Sequence, residues 1–300
     1  MRNILFLLLI ASPLYAQVES EWSKTDDNKC VFSIRNDEPC PYTYYVKFNN
    51  KGSFDSSVRL PYLTAVKKYG DSSFYITCIK GITPDLAYTY NCFMGDCNAK
   101  PVFDYPYLLP ISQNKETEIG LLDNFSEKHN MKRNMKTKDW YAIQFKTNKG
   151  DTIYAVRRGV VCDVKDDAEL EYNDYSMSTK DNQITICHQD NTFARYSVLS
   201  EVLVKKGQEV EAGEPIAITG GEKYASGYQV RLSISYLYKI DNPEKEDDLP
   251  VGSAYVTPRF YLSSGEVKPL ELKEVYISTH PQEIITKEMS KKELKKYLNR

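Results

Sequence analysis

The stretch from Asp181 to Ser235 constrains the fold most, because apolar and polar residues alternate through it and glycines fall at its breaks. Alternation with a period of two predicts half-buried strands, and glycines at strand ends predict turns. From Val204 to Ile216 the spacing Val-x-x-Gly-x-x-Val-x-x-Gly-x-x-Ile places two turns within thirteen residues. This spacing predicts a small barrel-like sandwich of short strands.

Two further runs precede this stretch, namely Tyr141-Ala-Ile-Gln144-Phe145 and the glycine-bounded run from Gly150 to Val161. Together with it, they resemble the lysostaphin-type, or LytM-like, zinc endopeptidases that cut peptide cross-bridges in bacterial cell walls. In that family the two runs read roughly Tyr-Ala-Ile-Asp-Phe and Gly-Thr-x-Val-x-Ala-x-x-x-Gly-x-Val. The resemblance extends from about His129 to Ser235. It implies the family's barrel-sandwich fold, a duplicated hybrid motif.

The residues that the family uses for zinc are replaced in this sequence. The resemblance places the zinc-binding Asp at Gln144, the closing His-x-His pair at Gln229 and Arg231, and the His of a Tyr-x-His-Leu motif at Val198. A zinc site needs about three nitrogen, sulfur or oxygen ligands and an open position for water. An amide is a poor zinc ligand, arginine is a permanent cation and valine has no lone pair. The resemblance therefore implies a catalytically degenerate member of the family with these four positions vacated.

We therefore predict no catalytic residue, no bound metal and no cofactor, with His129 as the single remaining candidate for a zinc ligand. Gln144, Tyr196, Gln229 and Arg231 are predicted to line a ligand-binding groove. Arg231 would pair with a carboxylate of a cell-wall peptide or of a partner protein, because a guanidinium offers a planar fork of donors. The alternative is an internal ion pair between Arg231 and the acidic insertion at residues 166–181.

The predicted function is a pseudoenzyme of the bacterial envelope that binds cell-wall peptide or regulates a wall hydrolase. A second hypothesis is an active zinc metalloendopeptidase of the peptidoglycan-cleaving type with a rearranged site. It requires His129, His188 and His280 to converge, since these are the chain's only histidines. A third reading, a biotinyl or lipoyl carrier domain, shares the hairpin rhythm. It lacks a hairpin-tip lysine flanked by Met or Ala.

The N-terminus predicts export from the cytoplasm of a bacterium, to the periplasm or the exterior. A positive start, an apolar run from Ile4 to Ile10 and small residues up to Ala16 are typical of a signal peptide cleaved after Ala16. No later segment reaches 18 apolar residues, so no transmembrane segment is predicted. The net charge of -2 does not favour nucleic acid as a partner.

The rest of the chain divides by pattern. Residues 17–104 alternate at period two and predict a small β-sandwich module. Residues 105–125 contain prolines that favour an extended connector. Residues 126–240 form the LytM-like domain, residues 241–278 add closing strands, and residues 279–300 form a helical tail. Ser290-Lys-Lys-Glu293 predicts a capping box that starts a short helix near Lys291.

All seven cysteines lie beyond the predicted signal peptide. In an oxidising compartment, the pairs nearest in sequence are the disulfide candidates. These are Cys30 with Cys40 and Cys92 with Cys97. Cys162 and Cys187 are predicted to be small core residues, with a cross-strand disulfide as the alternative. The sequence does not define the oligomeric state.

Overall fold

The structure is a computed structural model that describes residues 18–25, 29–49, 51–79, 86–121, 135–168, 178, 180–243 and 248–299. The predicted signal peptide, His129 and much of the acidic insertion lie outside these residues. The described chain is mostly β, as the sequence predicts, and ends in two short helices. Within these ranges no helix has the length and apolar character needed to cross a membrane.

The N-terminal module is a sandwich of two antiparallel sheets, which confirms the prediction. One sheet has the order β1-β2-β6-β4 and the other β5-β3-β7. Aromatic side chains fill the space between them; the rings of Phe32 and Phe74, for example, lie 5.1 Å apart. The strands are β1 (Glu19–Lys24), β2 (Lys29–Asn36), β3 (Tyr42–Phe48), β4 (Phe54–Ser56), β5 (Tyr62–Val66), β6 (Gly70–Cys78) and β7 (Tyr88–Met94).

The second module is built on a sheet of twelve strands whose main path is β16-β13-β14-β15-β18-β11-β9-β22. β8, β20 and β21 form a separate sheet beside it. The strands are β8 (Pro106–Tyr107), β9 (Glu116–Leu121), β10 (Lys136–Lys138), β11 (Ile143–Lys146), β12 (Thr152–Tyr154), β13 (Gly159–Lys165), β14 (Asn182–Cys187), β15 (Phe193–Val202), β16 (Glu209–Val210), β17 (Pro215–Thr219), β18 (Gln229–Lys239), β19 (Val251–Val256), β20 (Arg259–Tyr261), β21 (Val267–Lys268) and β22 (Val275–Ile277).

One face of the large sheet forms the core of the second module. Ile143, Phe145, Ile184, Val230 and Leu232 are all buried there. Each of these strands carries its core residues at alternate positions, so the residues between them point to the opposite face. The turns predicted before and after β16 are present, because Gly207 and Gly213 adopt φ values of 86° and 78°, where glycine is favoured.

The segment predicted as a connector belongs to the second module instead. Tyr107, Leu109 and Ile111 are buried in its core. β9 pairs with β11 in the large sheet. The prolines do keep residues 105–110 extended, but this extended chain is packed rather than free, so the second module begins near Tyr105.

The C-terminal tail forms α1 (Gln282–Ile285) and α2 (Lys291–Leu298). The predicted capping box is present: the Glu293 N–H donates to Ser290 Oγ (3.3 Å), and the Ser290 N–H donates to Glu293 Oε2 (2.7 Å). This confirms the predicted helix start.

A buried ion-pair cluster attaches the tail to the second module. Arg157 is only 2% exposed, and its guanidinium bonds Asp190 Oδ2 at 2.9 Å and Glu288 Oε1 at 2.6 Å. Its Cζ lies 3.8 Å from the centroid of the Tyr105 ring. The neighbouring Arg158 pairs with Glu293 of α2. The tail is therefore held by charge pairing as well as by the apolar contact of Ile284 with Leu108.

Candidate functional site

The vacated positions lie on adjacent strands of the large sheet. Gln144 on β11 is paired with Arg231 on β18, and Arg231 is paired in turn with Ser197 on β15. On its other side Gln144 pairs with Gly120. Directly paired residues project from the same face of a sheet. These four residues therefore form one cross-strand row on the face opposite the core.

Gln229 and Val198 lie next to this row. Gln229 precedes Arg231 by two residues on β18 and therefore shares its face. Val198 follows Ser197 and is the extra residue of a β-bulge, because β14 pairs Gln183 with Ser197 and Asn182 with Leu199. Val198 is buried at a φ of 66°, which is unusual for a β-branched residue.

Arg231 is the buried centre of a polar network. It is 6% exposed, and its Nε donates to Gln229 Oε1 at 3.2 Å. Its Cζ lies 4.8 Å from the centroid of the Tyr224 ring, and the Tyr224 hydroxyl contacts both Asp181 carboxylate oxygens at 2.7 and 2.6 Å. Burial lowers the pKa of Arg231, while the charges of Tyr224 and Asp181 act to raise it. Asp181 ends the acidic insertion, so this geometry favours the internal pairing of Arg231.

The two glutamines make internal contacts as well. Gln229 is fully buried, and its Nε2 donates to Ser226 Oγ at 2.5 Å. Gln144 is half-buried and packs over Gly120, where an added Cβ would lie 3.1 Å from the Gln144 Cβ. The vacated positions therefore carry amide and guanidinium groups that are largely engaged in contacts within the protein.

This set of side chains does not fit zinc. Two amides, a cation and a valine replace the ligands, and the Gln229 oxygen already accepts from Arg231. Among the described side chains, no group of three His, Cys, Asp or Glu residues is placed to hold a metal ion.

Tyr196 does not fit the groove predicted for it. Its side chain is fully buried, and its hydroxyl accepts a hydrogen bond from the Val156 N–H at 2.8 Å. Tyr196 pairs with Leu232, on the core face. It supports the sheet from behind and does not reach the row that contains Arg231.

The two described histidines lie in separate surroundings. His188 is buried, its Nδ1 lies 2.9 Å from Thr192 Oγ1, and burial together with Arg157 lowers its pKa to about 3. His280 lies with its Nε2 3.2 Å from the Leu109 carbonyl oxygen, and burial lowers its pKa. They share no contact with each other or with Arg231 among the described residues, and His129 lies outside them.

The sequence reasoning missed an exposed arginine on the same face. Arg195 pairs with Ser233 and Thr185, one row beyond Arg231. It forms no salt bridge with the described residues, and its charge acts on the half-buried Tyr255. The signal was present in the sequence, because Arg195 and Ser197 alternate with the core residues Ala194 and Tyr196.

We call the polar part of this face the polar strip, defined as Gln144, Ser197, Arg231, Arg195 and Ser233. Trp140 lies beside it, with its ring 6.2 Å from that of Tyr255. The strip combines the exposed cation of Arg195 and the buried cation of Arg231 with hydroxyls and an amide, and the aromatic rings lie beside it. These groups suit a peptide that carries carboxylates.

The N-terminal module covers the next row of this face. Phe193 pairs with Cys187, and both pack with Cys40 of the first module. An added Cβ on Gly95 would lie 3.1 Å from the Phe193 ring. Phe193 precedes Ser197 by four residues, which corresponds to about 13 Å along the strand. The first module therefore closes one end of the polar strip.

Solved structures similar to this chain include an M23 protein, a Helicobacter pylori protein and a two-protein complex. The catalytic domain of the prophage-encoded M23 protein EnpA from Enterococcus faecalis is 19% identical, with 42% of this chain and 85% of that chain covered and a TM-score of 0.28. Csd3 of Helicobacter pylori is 13% identical, with 90% and 56% covered and a TM-score of 0.30. A chain of the SpoIIQ–SpoIIIAH pore-forming complex is 18% identical, with 44% and 85% covered and a TM-score of 0.30.

The sequence matches no curated protein. The family comparison does: residues 138–243 match the model of peptidase family M23. The matched range contains β11 to β18, and so it includes every vacated position and the polar strip. The chain therefore contains an M23-type, LytM-like domain at residues 138–243.

Proposed function

We propose that this chain is an exported, non-catalytic M23-type protein of the bacterial envelope that binds a carboxylate-bearing cell-wall peptide along the polar strip. An acidic segment of an envelope protein, such as a wall hydrolase under regulation, is the alternative occupant of the same strip. No bound metal is required for this function.

The single observation that carries the proposal is the pairing of Gln144 with Arg231 at positions where the family places zinc ligands. Zinc polarises an anionic or carbonyl oxygen through its positive charge. A guanidinium keeps a positive charge at that position but cannot activate water. The site is thereby suited to attract an anionic ligand while lacking the group that cleaves peptides in the family.

Arg195 is the residue that we expect to contact the ligand directly. Arg231 is 6% exposed and is already bonded to Gln229, so its charge acts mainly from beneath the surface. Arg195 is exposed on the adjacent row and is available for a bidentate bond with a carboxylate. Trp140 and Tyr255 offer apolar area for the rest of a peptide.

The test is incubation of the mature protein with purified peptidoglycan, with zinc and with a chelator. We expect the protein to sediment with the wall material and to release no soluble peptide in either condition. Arg195→Gln should weaken this binding about tenfold or more, as for the loss of a charged hydrogen bond. Arg35→Gln is the matched control, because Arg35 is exposed on the first module.

The active metalloendopeptidase remains the competing function. It is supported if zinc promotes peptide release and the chelator abolishes it. Binding that is unchanged in Arg195→Gln would leave the pseudoenzyme without its proposed contact and would contradict the assignment of the polar strip.

A further inference from the structure

Three cysteines from two modules converge at the junction that closes the polar strip. Cys40 belongs to the first module, while Cys162 and Cys187 lie on β13 and β14 of the second. They pack together and are 1%, 0% and 7% exposed. The Cys162 thiol interacts with both of the others. The disulfide pairs expected from proximity in sequence, Cys30 with Cys40 and Cys92 with Cys97, do not meet at this junction.

The structure separates those expected pairs. Cys30 lies near the start of β2, whereas Cys40 lies beside Asn36 at its end, and the strand between them spans about 20 Å. Cys92 pairs with Tyr44, whereas Cys97 contacts Thr43, whose side chain points to the other face. A disulfide requires Cα atoms within about 7 Å and Cβ atoms directed towards each other, so the separation excludes the first pair and the opposite faces disfavour the second.

We propose that Cys40 and Cys162 form a disulfide that joins the N-terminal module to the M23-type domain. This modification site follows from the packing of the two modules and is independent of the proposed peptide binding.

The loop that carries Cys40 is held in position against the second module. The fully buried Asn36 donates from Nδ2 to the Cys40 carbonyl at 2.9 Å and to the Lys67 carbonyl at 2.9 Å. Glu38, in the same loop, pairs with Lys206 of the second module at 2.5 Å. The Asn36 bonds fix this loop within the first module, and the Glu38–Lys206 pair holds it against the second, so docking of the modules brings the Cys40 and Cys162 sulfurs together.

Cys187 is the less suitable partner for Cys162. Cys162 is the extra residue of a β-bulge on β13, because Val161 pairs with Ile186 and Asp163 with Thr185, so it has no paired residue on β14. The Cys187 thiol already donates to the carbonyl oxygen of His188 at 3.6 Å, which favours Cys187 as the cysteine that stays a thiol. Cys40 reaches Cys162 from outside the sheet.

The reaction is a thiol–disulfide exchange with a disulfide oxidant, either a small molecule or a protein. The thiolate of Cys40 attacks one oxidant sulfur, forms a mixed disulfide and releases the other sulfur as a thiol. The Cys162 thiolate then attacks the Cys40 sulfur and releases the second oxidant thiol. Two protons and two electrons leave the cysteine pair, and the oxidant disulfide is reduced to two thiols.

The exchange takes place while the modules dock. Burial raises the pKa of the Cys162 thiol in the folded chain, so little reactive thiolate exists after docking. The same burial protects the finished disulfide from reductants.

The experiment is disulfide mapping of the mature, full-length protein prepared under oxidising conditions. Free thiols are alkylated in denaturant, the chain is digested without reduction, and the peptides are identified by mass spectrometry. A linked Cys40–Cys162 peptide with alkylated Cys187 is expected. A Cys162–Cys187 peptide, a Cys40–Cys187 peptide or three alkylated thiols would each overturn the proposal.

A second measurement uses Cys40→Ser with Cys78→Ser as its matched control, since Cys78 is a half-buried cysteine of the same module. The wild type and Cys78→Ser should unfold at a higher temperature without reductant than with it. Cys40→Ser should show no such difference, and a persisting difference there would contradict the assigned pair. The wild-type peptide map decides the question even if Cys40→Ser does not fold.

Discussion

Replacing Arg157 by methionine should destabilise the protein by about 3–5 kcal/mol, the range for breaking a buried ion pair by removing one partner. Arg157 is 2% exposed, and its guanidinium serves two carboxylates, Asp190 and Glu288, that are 7% and 12% exposed. Methionine retains most of the apolar stem that packs on Tyr105 but leaves both carboxylates without a cation. The estimated loss is therefore mainly the cost of two poorly solvated charges.

Urea denaturation followed by intrinsic fluorescence measures this loss as a change in the free energy of unfolding. Arg35→Met is the control: its partner Asp37 and Arg35 itself are 48% and 67% exposed, so the change should be at most about 1 kcal/mol. Because Glu288 belongs to the tail, Arg157→Met should also speed hydrogen exchange in α2. Equal effects of Arg157→Met and Arg35→Met would refute the idea that this cluster holds the tail.

Three further predictions concern acid stability, the tail helix and the vacated site. Burial and Arg157 lower the pKa of His188 in the folded protein to about 3, so the folded state favours the neutral ring. The contribution of this residue to the free energy of unfolding is therefore fully present above pH 6.5 and is lost as the pH falls from there towards 3. The slope from this residue is at most about 1.4 kcal/mol per pH unit, and His188→Gln should flatten the profile measured by denaturation at pH 4–7. Ser290→Ala removes the N-cap of α2 and should cost about 1 kcal/mol of helix stability. Hydrogen exchange in α2 should become faster in this variant and should stay unchanged in the control Ser264→Ala. Restoring Asp and His ligands at the vacated positions should produce stoichiometric zinc uptake by elemental analysis, and a folded variant without zinc would show that they do not share one site. The substitutions are Gln144→Asp, Val198→His, Gln229→His and Arg231→His.

Local signals in the sequence were sufficient for several elements. The capping box at Ser290 and the turns at Gly207 and Gly213 depend on residues a few positions apart, so the sequence predicts them directly. The strand alternation likewise predicts the β-sandwich module and the mostly β second module. The positions of Gln144, Gln229 and Arg231 followed from the family resemblance, since pairing between distant strands is not encoded locally.

Other features depended on which face or neighbour a residue meets in the fold. A shift of one residue reverses the face of a strand residue, and Tyr196 was assigned to the groove in place of its neighbour Arg195. The prolines predicted an extended segment after Tyr105. The burial of that segment in the core depends on tertiary packing, which the local sequence does not show. The cysteines of the module junction are distant in sequence, so proximity along the chain did not indicate that Cys40 packs with Cys162 and Cys187.

The central claim is that the polar strip binds a carboxylate-bearing peptide and leaves it uncut. The direct measurement is isothermal titration of the mature protein, in the presence of zinc, with a soluble wall peptide that has free carboxylates and with its amidated form. The account predicts saturable binding of the free acid, at least about tenfold weaker binding of the amidated peptide and of Arg195→Gln, and recovery of intact peptide. Zinc-dependent cleavage of the peptide, or equal affinity for both peptide forms, would contradict it.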